Sequence, residues 1–291
     1  MPHSRPLLDE EGTTRPWLAV VAGVCALTLV GAAGLWYARD TVGLFLGEKC
    51  EATALEETVA FAPDQMNHAS TIVLLGVRRG LPARAGSIAI ATAIQESKLR
   101  NLTYGDRDSV GLFQQRPSQG WGTVEQLQDP VYSTQAFYDA LVKVDGWQSM
   151  EITEIAQEVQ RSAYPTAYAD HEHEGRTIAS ALSGHSPRGL TCRLDDPSAS
   201  GRPDTFVAAV QEETGQSGAA DGQTITVNAS DDRHAWAVGA WAVAQASARQ
   251  VVTVQVGDQE WERGPGSSAM EWRTADEALP STQVRVVLHQ D

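Results

Sequence analysis

The sequence predicts a mainly α protein: one membrane-spanning helix, an all-helical globular domain, and a small C-terminal α+β domain. Three observations carry that prediction. Residues Trp17 to Tyr37 form an uncharged run, WLAVVAGVCALTLVGAAGLWY, which as a helix spans about 30 Å, the thickness of a bilayer's hydrocarbon core. Between Cys50 and Cys192 apolar residues recur at helical spacing, broken by Gly and Pro, with no convincing alternating strand. After the Ser/Gly/Pro-rich stretch Ser198 to Pro203, alternation with period two appears in Thr224-Ile225-Thr226-Val227.

The chain of 291 residues has room for one large or two ordinary domains. Residues 1–16 read as a polar cytoplasmic tail, 17–38 as the transmembrane anchor and 39–61 as a tether. Residues 62–195 form the first globular domain, 196–203 a linker and 204–291 the α+β domain. Trp17, Trp36 and Tyr37 stand at the ends of the span, where amphipathic rings favour the interface. The alternative is a cleaved secretory signal, for which Gly31-Ala32-Ala33 supplies small residues. Such a signal has a shorter apolar core and a plainly basic start, whereas Asp9, Glu10 and Glu11 dilute Arg5 and Arg15.

Basic residues on the two sides of the span are nearly balanced, so the cysteines orient the chain. Cys50 and Cys192 bracket one segment and suit a single disulfide, retained outside the cytoplasm. A closure this long stabilises by about 5 kcal/mol in the loop-entropy picture. Two unrelated buried thiols are the other reading. The expected location is therefore the cell membrane, single-pass, with the N-terminus cytoplasmic and the C-terminal domains extracytoplasmic. A net charge of -15 argues against a nucleic-acid partner, which needs a basic stripe.

Within the first domain, Pro63 suits a first helical position, with Arg78 and Arg79 at the C-terminal end and Gly80 and Pro82 as the stop. A second helix runs from about Ala83 to Lys98. The loop Asn101 to Gln128 is long enough to be functional. Within it, Thr123 and Gln126 make a capping-box pattern for a short helix. Asp129-Pro130 starts a helix through Ala136, Phe137, Ala140 and Leu141. Thr153 caps another over Ile155, Ala156 and Val159, and a further helix runs from Thr166 to about Ser183. In the last domain, Asp204 to Glu213 and Asp231 to Ala248 read as helices, and Val251 to Val256 and Gln283 to Leu288 as strands. No catalytic pattern stands out there, so binding, spacing or self-association is its default role.

The chemistry concentrates in Ala89 to Pro117, AIATAIQESKLRNLTYGDRDSVGLFQQRP. Glu96 sits where the second helix is about to stop, on the side of Ala89, Thr92 and Ala93, a face of small residues that leaves room beside the carboxylate. The negative end of the helix dipole disfavours its charged form, and partial burial pushes the same way, which is what a general acid at neutral pH needs. A solvated Glu at a frayed helix end is the plain alternative.

Glu96-Ser97, followed by Gly111-Leu112-Phe113-Gln114, resembles the paired Glu-Ser and Gly-Leu-Met-Gln motifs of lysozyme-like lytic transglycosylases, with Phe113 for the usual Met. The resemblance covers roughly Ala62 to Ser183. It implies cleavage of the β-1,4 bond between N-acetylmuramic acid and N-acetylglucosamine in peptidoglycan, with Glu96 as the single acid and base and no cofactor. Substrate-binding positions on that reading are Ser97, Gln114, Gln115, Trp121 and Tyr168. Trp121 in Gly-Trp-Gly either stacks on a sugar or caps the core. The family's Ala-Tyr-Asn is only partly present: Ala163-Tyr164 and Ala167-Tyr168 both lack the Asn, and Tyr168 is preferred because Tyr164 precedes a proline.

Two alternatives stay open. Asp106 or Asp108 near Glu96 would activate water and make the enzyme a hydrolytic muramidase, although both suit ordinary turn chemistry. A non-catalytic wall-binding module would keep the groove without needing the acid. His171-Glu172-His173-Glu174 makes a poor chelate on a helix, so no metal is expected. The partners implied are peptidoglycan glycan strands and the membrane, through the one N-terminal helix.

Overall fold

The computed structural model describes residues 47–160 and 168–291. The expected cytoplasmic tail, the expected span Trp17–Tyr37, the first part of the expected tether and Tyr164 lie outside the described residues. Among the described residues no helix is long and apolar enough to cross a membrane.

The expectation of a mainly α protein with an all-helical first domain is overturned. The structure is mixed, with two antiparallel sheets. The first sheet has strand order β2-β1-β3, from β1 (Lys49–Ala54), β2 (Glu57–Phe61) and β3 (Leu190–Arg193). These residues had read as tether and helical block. The reason is physical. In β1 the inward positions are Cys50, Ala52 and Ala54, so small side chains carry the alternation that large β-branched ones usually announce. The β1–β2 hairpin turns on Leu55 and Glu56 at φ 55° and 66°, left-handed positions that normally advertise themselves as Asn-Gly or Gly-Gly.

Cys50 pairs directly with Cys192 in the β1–β3 register, and the two form a disulfide across 142 residues. The bond therefore staples the start of the described chain to the strand that closes the helical region.

Between the strands run α1 (Pro63–Arg78), α2 (Ala83–Ser97), α3 (Val124–Leu127), α4 (Pro130–Leu141), α5 (Ile152–Gln160) and α6 (Glu172–Leu182). The punctuation residues act as expected. Pro63 opens α1, and Thr123 and Gln126 cap α3 reciprocally. Thr153, by contrast, lies inside the first turn of α5, and α6 starts only at Glu172.

The second sheet has order β4-β5-β9-β6-β7-β8. Its members are β4 (Gly218–Asp221), β5 (Thr224–Asn228), β6 (Val251–Val256), β7 (Gln259–Glu262), β8 (Arg273–Thr274) and β9 (Gln283–Leu288). Helices α7 (Pro203–Ala209), α8 (Asp232–Ala244) and α9 (Ala246–Arg249) accompany it. A π-helical turn, Val210–Thr214, follows α7.

From Gly47 onward the described residues form one compact unit. Trp272 Nε1 donates to Leu190 O at 2.8 Å and Arg233 Nη1 to Ser183 O at 3.3 Å, so the sheet region and the helical region share polar contacts. A buried carboxylate joins them as well. Glu213, 5% exposed, accepts from Thr71 Oγ1 of α1 at 2.7 Å and from Trp241 Nε1 of α8 at 2.9 Å. Gln245 at 3.5 Å and Arg249 at 3.4 Å complete its set.

Candidate active site

Helix α2 is the spine of the site. Every residue from Ala85 to Ile94 is buried, the signature of a helix surrounded by protein. Small side chains make this possible: a Cβ on Gly175 of α6 would lie 2.5 Å from Ser87 O and 3.3 Å from the Ala91 Cβ. The small-residue face below Glu96, Ala89, Thr92 and Ala93, is fully buried as well.

The helix ends abruptly beneath Glu96. Lys98 and Leu99 are both left-handed, at φ 55° and 57°. Non-glycine residues there cost about 1 kcal/mol or more each. The surroundings hold them. Lys98 N–H reaches Ile94 O at 2.8 Å and Leu99 N–H reaches Ala93 O at 3.1 Å. From α1, Gln65 Nε2 donates to Lys98 O at 2.7 Å, while Gln65 Oε1 accepts the Ala62 N–H at 3.0 Å. His68 Nδ1 contacts Leu99 O at 2.8 Å. Burial pushes the His68 pKa down, so the neutral imidazole with its proton on Nδ1 fits this contact.

The Gly-Leu-Phe-Gln turn is bolted to that helix end. Ser97 Oγ donates to Leu112 O at 2.7 Å and contacts Ala93 O at 3.0 Å. Gly111 has φ 81°, and a Cβ on it would sit 2.2 Å from Leu127 O, so only glycine fits. Phe113 is fully buried and stacks on Phe137 with ring centres 4.7 Å apart. Gln114, left-handed at φ 47°, donates to Tyr104 O at 3.3 Å and Gly111 O at 3.2 Å.

Two side chains close on the carboxylate. Tyr168, 1% exposed, donates its hydroxyl to Glu96 Oε1 at 2.6 Å. Gln160, the last residue of α5, donates to Phe113 O at 2.6 Å, and its nearby amide favours the charged form of Glu96. Burial raises the Glu96 pKa, against the Tyr168 hydroxyl and the Gln160 amide, which favour the charged form. A half-buried acid with a raised pKa keeps its proton to higher pH than an ordinary glutamate, and the Tyr168 hydroxyl steadies the carboxylate once the proton has left.

Tyr168 is thus brought to Glu96, and Gln114 to the rim of the turn. Ser97 and Gln115 face inward: both are buried, and Gln115 Nε2 donates to Ser133 O at 3.2 Å. Trp121 is half-buried and packs partly on the core. It also lines a surface cavity of about 410 Å³ with Gln119, Lys143, Glu158 and Val159, the last of these adjoining Gln160. Asp108 accepts from Arg116 Nε and from Ser118 N–H, each at 2.8 Å. The Arg116 contact, then Ser118, hold its carboxyl far below the usual range, which makes it a weak base. The Asp106 side chain is 91% exposed. His171 Nδ1 pairs with Glu174 at 2.7 Å. Among the described residues no three His, Cys, Asp or Glu side chains group as a metal site.

Gln160 was not anticipated from the sequence, yet a signal existed. Ile152, Ile155, Ala156 and Val159 form the buried stripe of α5, and Gln160 is the next residue on that stripe by helical spacing. A polar side chain there needs a partner. No protein-family model matches this chain, and no curated protein matches it.

Proposed function

We propose that this chain cleaves peptidoglycan glycan strands as a lytic transglycosylase, with Glu96 as the single acid and base. The observation that carries this reading is that the separated motif residues are joined at the end of α2, with Tyr168 on the Glu96 carboxyl. Ser97 ties the end of α2 to the Gly111–Gln114 turn, and Tyr168 bonds Glu96 at 2.6 Å.

In the first step protonated Glu96 gives its proton to the bridging oxygen as the glycosidic bond breaks through an oxocarbenium-like state. The carboxylate, held by the Tyr168 hydroxyl, then takes the proton of the muramic C6 hydroxyl. That oxygen closes on the anomeric carbon, giving a 1,6-anhydro sugar and restoring the acid. The pinned state of Asp108 favours this route over hydrolysis, which needs a second carboxylate able to activate water. The Cys50–Cys192 disulfide suits an extracytoplasmic enzyme, with Trp17–Tyr37 as its membrane anchor.

The test is mass spectrometry of purified peptidoglycan after incubation with the protein, beside Glu96→Gln. Anhydro-muropeptides that vanish with the variant are expected. Reducing-end products would move the chemistry to a muramidase. Glycan bound by both proteins but cut by neither would leave a wall-binding module and end the enzymatic reading.

A further inference from the structure

We infer that Gln65 is a positioning residue of Glu96: from α1 it holds the Lys98 carbonyl, and with it the left-handed exit by which α2 ends just past the acid. This rests on the reading of Glu96 as the working acid.

Glu96 stands two residues before a break in the backbone. Ser97 is the last residue of α2, Lys98 caps it at φ 55° and ψ 41°, and Leu99 follows at φ 57°. Many helices leave through a single left-handed glycine. Two successive residues with side chains persist in that region only where the surroundings fix them. Their N–H groups are met from within α2, by Ile94 O at 2.8 Å and Ala93 O at 3.1 Å. Their carbonyls are met from another helix. Gln65 Nε2 donates to Lys98 O at 2.7 Å, and His68 Nδ1 meets Leu99 O at 2.8 Å. Gln65 and His68 are three apart and share one face of α1.

The Gln65 amide is buried and fixed at both ends. Its Oε1 accepts the Ala62 N–H at 3.0 Å, which turns the nitrogen toward Lys98. Capping α1 needs only that oxygen. The bond from the nitrogen, to a residue 33 positions away, does what capping does not: it sets where α2 stops. The Glu96 side chain leaves the backbone in that last turn. Its reach to the Tyr168 hydroxyl, 2.6 Å away, therefore follows a backbone that Gln65 holds. Gln65 acts through the main chain and not on the substrate.

The experiment uses the full chain in detergent. Carboxyl-carbon NMR titration follows Glu96, assigned by its disappearance in Glu96→Gln. Gln65→Met keeps the length and removes both bonds. Ala62→Pro removes only the N–H at the capping end, at a residue whose φ of -66° already suits proline. In Gln65→Met the exit of α2 relaxes and the carboxyl gains solvent. Burial is the first cause of its raised pKa, so the midpoint falls toward the ordinary glutamate range. On glycan, kcat falls about tenfold with KM held, because aim is lost and binding is not. Ala62→Pro moves neither readout. If Gln65→Met does not fold, Gln65→Asn, one methylene short of Lys98 O, takes its place with the same expected shifts. An unmoved midpoint in a folded Gln65 variant overturns the inference. So does an Ala62→Pro protein that reproduces the shift, since capping alone would then explain it. A moved midpoint in a protein that cuts no glycan keeps the Gln65 clamp and sinks the glycosidase reading instead.

Discussion

Glu96 and Glu213 are both glutamates whose pKa is raised, in each case first by burial. Their surroundings separate them. Glu213 is 5% exposed and is met by Thr71, Trp241, Gln245 and Arg249, donors drawn from α1, α8, the α8–α9 junction and α9. Arg249 adds a full charge and lies over the Trp241 ring at 5.7 Å. A cavity of about 430 Å³ lies beside this node, lined in part by Asn67, His68, Gln245 and Arg249. Arg249 and Gln245 are already bonded to Glu213 and to each other. Among the described residues Glu96 is half-buried and accepts a hydrogen bond from the neutral Tyr168 hydroxyl, with no cation bonded to it. The direction of a pKa shift therefore does not distinguish a structural carboxylate from a working one. The number and charge of fixed partners do.

Mutation breaks the comparison most sharply at Glu96. Glu96→Gln lowers glycan turnover by about 10²–10⁴-fold, while its thermal midpoint does not fall; equal loss of both would make Glu96 a second structural node. Next in size is Glu213→Ala, which leaves a partly buried Arg249 and the Trp241, Thr71 and Gln245 donors without their acceptor. Chemical denaturation should report a loss of about 3–5 kcal/mol, with glycan cleavage per folded molecule unchanged.

A subtler contrast comes from pH. A carboxyl raised above the ordinary glutamate value of 4.5 favours folding while protonated. That contribution is fully present below pH 4.5 and is lost as pH rises through the folded pKa. Glu96→Gln cannot titrate, so its unfolding midpoint gains on wild type between pH 4.5 and pH 8. A constant difference across that range would place Glu96 in solvent. The smallest effect is expected at Thr71→Val, which removes one of the donors to Glu213. Stability falls by about 1 kcal/mol, and the pH profile of any glycan cleavage stays where it was.

Much of the helical scaffold was legible because its signals are local. Pro63, the Thr123–Gln126 box and Asp129-Pro130 mark helix starts by capping rules that act within four residues. Strands β5, β6 and β9 carry alternating Ile, Val and Leu. The hairpin of β1 and β2 was hidden because its inward side chains are Cys and Ala and its turn is Leu55-Glu56. Strand β8, with two residues, Arg and Thr, has no periodicity to read.

At the site, the sequence by itself determined that one acid ends an apolar helix ahead of a Gly-Leu-Phe-Gln turn, and that two cysteines bracket the intervening chain. Only the tertiary structure decided which groups lie around that acid. Gln160 and Tyr168 lie 64 and 72 residues beyond Glu96 in the chain, and their approach depends on how α5 and α6 pack against α2. It likewise decided that Ser97 and Gln115 point inward and that Glu213 joins the helical and sheet regions. Capping, glycine geometry and periodicity are short-range and are written in the chain. Burial, hydrogen-bond partners and the pKa they set come from distant segments meeting, and no local pattern encodes them.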